Sequence, residues 1–239
     1  MTTAITRPIL EVIVCSVADA VAAEKGGADR LEIIVDFDKG GMTPPIQLVK
    51  EILASVAVPA RVMIRETEEF IVTDESIIEK LCRSAAAYSQ LAIDGLVLGF
   101  VREGRVDVNL TNRVLSFAPN LRATFHHAFE ELDDPFTAIR HLKQCPQIDR
   151  ILTYGGRGEW KQKIKRLDEY QQAAAPEITI LAGGGLDKQI IEKIRNETDV
   201  REFHVGRTVR RPATVKGVVE QMIVSEIVSS IRRNGFSGE

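Results

Sequence analysis

Two glutamates interrupt short runs that would otherwise read as wholly buried strands. Glu11 lies in Leu10-Glu11-Val12-Ile13, and Glu32 lies in Leu31-Glu32-Ile33-Ile34. Three more polar residues hold comparable places. Arg65 ends the run Ala60 to Ile64, His126 follows Leu121 to Phe125, and His204 sits within Arg201-Glu-Phe-His-Val-Gly-Arg207. Strand side chains alternate between two faces, so each points either into a core or out at a covering layer. Both places are dry, and a charge in a dry place needs a partner. Two carboxylates, a guanidinium and imidazoles can serve as partners for one another in an ion-pair network that fixes strand register. The same set can also do acid–base chemistry. Glu11 or Glu32 would be the base, His126 the acid or electrophile, and Arg65 would steady developing negative charge. His127 reads as a packing or loop residue facing away from His126.

A second constellation lies late in the chain. The runs Ile178-Thr-Ile-Leu-Ala-Gly-Gly-Gly-Leu186 and Val205-Gly206-Arg207 each end an apolar stretch in glycine. Glycine lets backbone N–H groups approach an anion, and the helical pattern opening at Asp187 adds partial positive charge. Arg207 adds a guanidinium suited to phosphate or carboxylate. Gly184, Gly185, Gly206 and Arg207 are therefore the candidate anion-binding residues. The alternative is that Gly183 to Gly185 provide room for close packing, and that Gly155-Gly156 only shape a turn.

The elements needed to position these residues alternate in type. Strand patterns are expected at 9–14, 31–35, 60–64, 95–99, 121–125, 150–153, around 178–182 and at 201–205. Helical patterns follow each one. Ser16 with Asp19 caps the first helix. Thr43-Pro44-Pro45 reads as a threonine cap with proline in the first turn. Asp74 and Asp134-Pro135 open two more helices, and Val215 to Arg233 reads as the closing one. Eight strand-then-helix units without a hairpin between major strands predict a parallel sheet. On 239 residues they predict an α/β fold closed as a (β/α)₈ TIM barrel. The glycine-rich ends after its seventh and eighth strands then sit where such barrels often hold phosphate. An open doubly wound sheet is the alternative, but no glycine fingerprint follows the first strand. Residues 1–233 are read as one domain and 234–239 as a disordered tail.

The composition is that of an ordinary globular chain, 44% hydrophobic and 27% charged. A net charge of −3 offers no basic footprint for nucleic acid. No apolar run approaches the roughly 18 residues of a membrane span, and no signal-peptide pattern opens the chain. A cytoplasmic protein without membrane or nucleic-acid partners is expected. Cys15, Cys82 and Cys145 are too few and too scattered for a disulfide framework or a zinc module.

The chain as a whole resembles the CutC family, which is associated with copper homeostasis. The resemblance is carried by Leu10-Glu11, Ser16, Gly26-Gly27-Ala28-Asp29-Arg30-Leu31-Glu32, Gly40-Gly41-Met42-Thr43-Pro44 and Val62-Met63-Ile64-Arg65. It continues through Asp94-Gly95, Thr124-Phe125-His126, Arg150-Ile151-Leu152-Thr153 and Gly183 to Gly185. It implies a (β/α)₈ barrel, a cytoplasmic and often homo-oligomeric protein, and copper binding. It also implies that Glu11, Glu32, Arg65 and His126 line the pocket. The chain departs from the family where soft ligands for Cu(I) would stand. Ile13 and Ile34 occupy positions where relatives commonly carry cysteine, and thiolates suit that ion. Glu66 to Glu69 replace a proline, arginine and glycine stretch, and His127 replaces an arginine.

Two functions follow as expectations. By resemblance, the chain belongs to copper homeostasis, with copper held on His126, His204 and Cys15 together with carboxylates. The alternative is an isomerase, epimerase or aldolase type of enzyme acting on a small anionic or phosphorylated metabolite.

Overall fold

The computed structural model describes residues 7–232. Eight parallel strands close into a barrel: β1 Ile9–Val14, β2 Arg30–Ile33, β3 Ala60–Met63, β4 Gly95–Leu98, β5 Arg122–Phe125, β6 Ile148–Thr153, β7 Thr179–Ala182 and β8 Glu202–Val205. Each strand pairs with its sequence neighbours, and β8 pairs with β1 to complete the ring. Eight helices form the outer layer: α1 Val17–Lys25, α2 Ile46–Ser55, α3 Glu75–Tyr88, α4 Val108–Leu115, α5 Pro135–Leu142, α6 Trp160–Ala174, α7 Lys188–Glu197 and α8 Gln221–Arg232. The helix starts are written locally. Ser16, Asp74, Asp107, Asp134 and Asp187 each accept a backbone N–H of the following turn, satisfying donors the helix cannot. Pro135 opens α5, as expected.

Strand alternation sorts the barrel into an outer and an inner face. Leu10, Val12, Leu31, Ile33, Val62, Leu96, Phe125, Ile151, Ile180 and Phe203 are fully or almost fully buried in the main core beneath the helices. The intervening residues fill the interior. Here Glu11, Arg30, Glu32, Arg61, Glu202 and His204 are found, all buried, and for them the question left open by alternation is settled: they point in.

Two local expectations differ from the structure. Thr43 does not cap α2, which begins at Ile46 after Pro45. Its hydroxyl instead accepts the N–H of Arg65 at 2.8 Å and donates to the Arg65 carbonyl at 3.0 Å, tying the loop after β2 to the end of β3. The closing helix begins at Gln221, not Val215. Val218–Val219 pairs antiparallel with Arg210–Arg211 because Asp19 and Arg210 draw it in. Val219 N–H donates to Asp19 at 3.0 Å, and the Arg210 guanidinium donates to the Gly217 carbonyl at 2.7 Å. A second small ribbon, Val101–Arg102 with Arg105–Val106, turns at Glu103 and Gly104, both with positive φ. The segment 234–239, expected to be a disordered tail, lies outside the described residues.

Candidate active site at the barrel mouth

Register brings the interior charges together. Glu11 on β1 lies level with Arg30 on β2 and with His204 on β8. One carboxylate oxygen of Glu11 pairs with Arg30 Nε, and the other accepts from His204 Nδ1 at 2.8 Å. Arg30 also donates to Glu202 at 2.8 Å, and Arg150 holds Glu202 through two bonds of 2.7 and 3.0 Å. Across the barrel, Arg61 is bidentate on Asp149 at 2.7 and 2.9 Å and bonds Asp94 and Thr124 as well. The barrel floor is therefore a closed lattice of ion pairs. Its central members, Glu11, Arg30 and Arg61, are 1%, 3% and 1% exposed.

Glu32 stands one inward step above Arg30 and is only 2% exposed. Its Oε2 is 3.7 Å from His204 Nε2, beyond hydrogen-bond length, and its Oε1 has no partner among the described residues. The two glutamates are thereby driven apart in acidity. Burial opposes ionisation of Glu11, but Arg30 and His204 outweigh it and hold its carboxyl far below the usual range. Burial raises Glu32 to about 7, since His204 only partly offsets it and Glu11 adds repulsion. His204 is itself buried, yet Glu32 and Glu11 raise its pKa. A carboxyl with a free oxygen and a pKa near neutrality is suited to giving and taking a proton. Glu11 plays a different part: it fixes the ring of His204 and directs Nε2 towards Glu32.

Above this pair opens a cavity of about 330 Å³, at the lower end of the roughly 300–1,000 Å³ of small-molecule sites. Glu32, Arg65, His126, His127, His204, Gly184, Gly185, Gly206 and Arg207 all line it. The expected catalytic and anion-binding residues, Glu11 apart, thus meet in one place. Glu11 lies just beneath. Both neighbouring histidines are neutral at physiological pH. Burial, with Arg65 and His127, pushes His126 well below its ordinary value; burial, with His204 and Arg65, lowers His127 to about 3. His126 Nδ1 accepts the Ala128 N–H at 3.2 Å, and its ring fits against β4 because residue 99 is glycine: a Cβ there would lie 2.6 Å from Nδ1. His127, expected to be a packing residue, lines the cavity with a buried Nδ1 that has no partner among the described residues. Arg65 is less free than expected. Its guanidinium donates to the carbonyls of Lys39, Gly40 and Glu68 and lies 4.6 Å from the Phe70 ring centroid.

The glycines divide by role. A Cβ on Gly183 would lie 2.6 Å from Leu152, and one on Gly184 would lie 2.5 Å from Tyr154. Close packing therefore explains part of the run. Gly185 is different: it has φ +85° and nothing within 4 Å of a Cβ position, so it shapes backbone beside open space. Arg207 is exposed, and no hydrogen bond or ion pair engages its side chain among the described residues.

Cys15 does not join the histidines. Its thiol lies 3.7 Å from Arg210, packed behind the cavity-lining Ile13, Ile34 and Met63 without lining the cavity itself, and burial raises its pKa to about 11. His126, His204 and Cys15 therefore form no common ligand set. The group whose ligand atoms do converge, within 4.8 Å, is Glu11, Glu32 and His204. Sequence reasoning also missed Arg30, Arg61, Arg150 and Glu202. The signal was available: Arg30 and Glu32 are two apart on one strand, as are Glu202 and His204, so each pair shares a face. Glu130 gave no such signal. It is half-buried and accepts from Thr153 Oγ1 at 2.5 Å and from the Tyr154 and Gly156 N–H groups at 2.8 and 3.1 Å, holding the loop after β6.

Known proteins resemble this chain in sequence and in fold. A CutC family protein of Mesorhizobium japonicum is 30% identical over 217 residues, covering 90% of this chain and 84% of the relative. A human copper homeostasis protein cutC homolog is 31% identical over 212 residues, covering 87% and 76%. The crystal structure of CutC from Streptococcus agalactiae superposes with a TM-score of 0.76 at 25% identity, over 83% of this chain and 98% of that one. A phosphoribosyl anthranilate isomerase from Thermococcus kodakaraensis, with a TM-score of 0.63 at 16% identity over 95% of this chain and all of that one, shares the fold. The profile of the CutC family matches residues 8–209, from the first barrel strand to beyond the last, and the chain belongs to the CutC family.

Proposed function

We propose that the barrel mouth is an enzyme site that moves a proton on a small anionic metabolite, with Glu32 as the acid–base group. One observation carries this reading: a fully buried carboxyl with an unpartnered oxygen forms the cavity floor, and its pKa stands near 7. His204, locked by Glu11, balances the charge that Glu32 gains and loses. Gly185, Gly206 and Arg207 lie along the same cavity and supply the anion-binding end. Proton abstraction beside a carbonyl is the reaction class these groups suit. The test is incorporation of deuterium from D₂O into a panel of phosphorylated hydroxy-ketones and aldehydes, followed by NMR. Exchange that is present in the native protein and absent in Glu32→Gln supports the reading. Exchange undiminished in that variant overturns it.

A second reading is favoured by the convergence of Glu11, Glu32 and His204 and by the naming of relatives for copper homeostasis. These donors are oxygen and nitrogen, which suit Cu(II) or Zn(II) better than Cu(I). The residues present do not make a thiolate site: Cys82 and Cys145 are buried in the main core, and Cys15 faces Arg210. Titration calorimetry with Cu(I), Cu(II) and Zn(II) separates the two readings. Stoichiometric metal binding lost in His204→Ala, with no proton exchange on any substrate, would favour the metal.

A further inference from the structure

The two halves of the mouth differ in chemistry, and this difference bears on the ligand. The inward residues at the top of the first four strands and their extensions, Ile13, Ile34, Met63 and Val97, form an apolar cluster separate from the main core. Phe37, from the loop after β2, packs against them. Cys15 packs there too; apart from the weak sulfur groups of Met63 and Cys15, none of these side chains can donate or accept a hydrogen bond. The half from β5 to β8 carries the histidines, the glycine loops and Arg207, with Leu152, Leu186, Val205 and Val215 extending the apolar lining around them, and Gly206 abuts Ile13 and Phe37. Several polar groups along the cavity are already engaged. Thr208 Oγ1 donates to the Leu186 carbonyl at 2.6 Å, His126 Nδ1 accepts from Ala128, and Arg65 is held by three loop carbonyls.

A ligand rich in hydroxyls would fit this arrangement poorly. Hydroxyls set against Ile13, Ile34 and Met63 would lose water and gain nothing, and each unmade bond is costly. An apolar group in the same place gains by burial. Resting on the anion-site reading above, we infer that this mouth takes a small organic phosphate with an apolar body, an alkyl or aryl phosphate rather than a polyhydroxylated sugar phosphate. The phosphate lies at Gly185, Gly206 and Arg207. The body lies across Ile13, Ile34 and Met63, over Glu32. A cavity of about 330 Å³ restricts that body to a short chain or one ring.

Calorimetric titration of the full chain tests this with inorganic phosphate, methyl, butyl and phenyl phosphate, glycerol 3-phosphate and butyrate. Affinity is expected to rise about fourfold per buried methylene from methyl to butyl phosphate. Glycerol 3-phosphate is expected to bind no better than methyl phosphate. Ile34→Asn should flatten the series when each member is referred to inorganic phosphate on the same variant. Wild-type protein decides the matter even if that variant does not fold. A flat series, or glycerol 3-phosphate binding more tightly than butyl phosphate, would overturn the apolar body. Butyrate binding more tightly than butyl phosphate would overturn the phosphate. Failure of the anion reading itself looks different: no member, inorganic phosphate included, would lose affinity in Arg207→Ala.

Discussion

The floor and the mouth of this barrel use the same residue types for opposite ends. At the floor, Arg30, Arg61, Glu11, Asp149, Arg150 and Glu202 are buried or half-buried, and every carboxylate has a guanidinium. At the mouth, Glu32 has a free oxygen, His127 has a free ring nitrogen, and Arg207 has no partner among the described residues. Burial alone does not make a buried charge reactive. Both glutamates are almost wholly buried, yet Arg30 and His204 hold the Glu11 carboxyl far below the usual range, while Glu32, with no guanidinium paired to it among the described residues, has a pKa of about 7. The floor fixes His204 and leaves the mouth free to act.

The largest effect should come from breaking the floor. Arg30→Met leaves Glu11 and Glu202 short of a partner, and removing one member of a buried ion pair costs about 3–5 kcal/mol. The urea midpoint should fall accordingly; a loss under about 1 kcal/mol would show that the floor does not anchor the barrel.

The pH dependence of stability should separate the two glutamates by sign. Glu11 has a lowered folded pKa, so its stabilisation is present above the ordinary 4.5 and is lost as pH falls below it. Glu11→Gln should be much less stable than wild type at pH 7 and approach it in acid. Glu32 is raised from 4.5 to about 7, so what it contributes is present below 4.5 and is lost as pH rises through 7. Glu32→Gln should gain on wild type between pH 5 and 8. Melting temperatures of both variants, followed from acid below pH 4.5 up to pH 8, check the signs, and parallel curves would show that the two sites do not differ.

Two finer tests follow. The ring resonances of His127 should stay flat between pH 5 and 8, since its pKa is about 3, while those of His204 should move above its ordinary 6.5. A His127 titration near neutrality would move the acid–base centre towards β5. The smallest effect on folding should come from Arg207→Ala. As an exposed side chain with no partner among the described residues, it should change stability by no more than about 0.5 kcal/mol. The same variant should weaken binding of inorganic phosphate about tenfold by removing a charge-assisted contact. Unchanged binding would leave the glycine loops without an anion role.

Much of the frame was legible in the chain. β1 was legible to its limits, and half of the helix starts were signalled by Ser16, Asp74, Asp134 and Asp187, because caps and alternation act over a few residues. The errors lay where distant residues intervene. Thr43 looks like a cap until Arg65 takes its hydroxyl, and Val215 looks helical until Asp19 and Arg210 claim Val219 and Gly217. In the site, Glu11, Glu32 and His204 stood out as charges on apolar strands. Their differing roles did not, because Glu11 and Glu32 look equivalent, each a glutamate following a leucine in an apolar strand.

The sequence by itself determined the alternation of strands and helices, the inward or outward period of each strand, and the glycines that turn the seventh and eighth loops. These depend on local sterics and on burial patterns that repeat every two or three to four residues. Only the tertiary structure decided which carboxylate is an anchor and which is free. That choice depends on barrel register, which sets Glu11 level with Arg30 and His204 and lifts Glu32 one step clear into the cavity. Acidity follows the distance to a partner, and those distances exist only once β8 closes on β1.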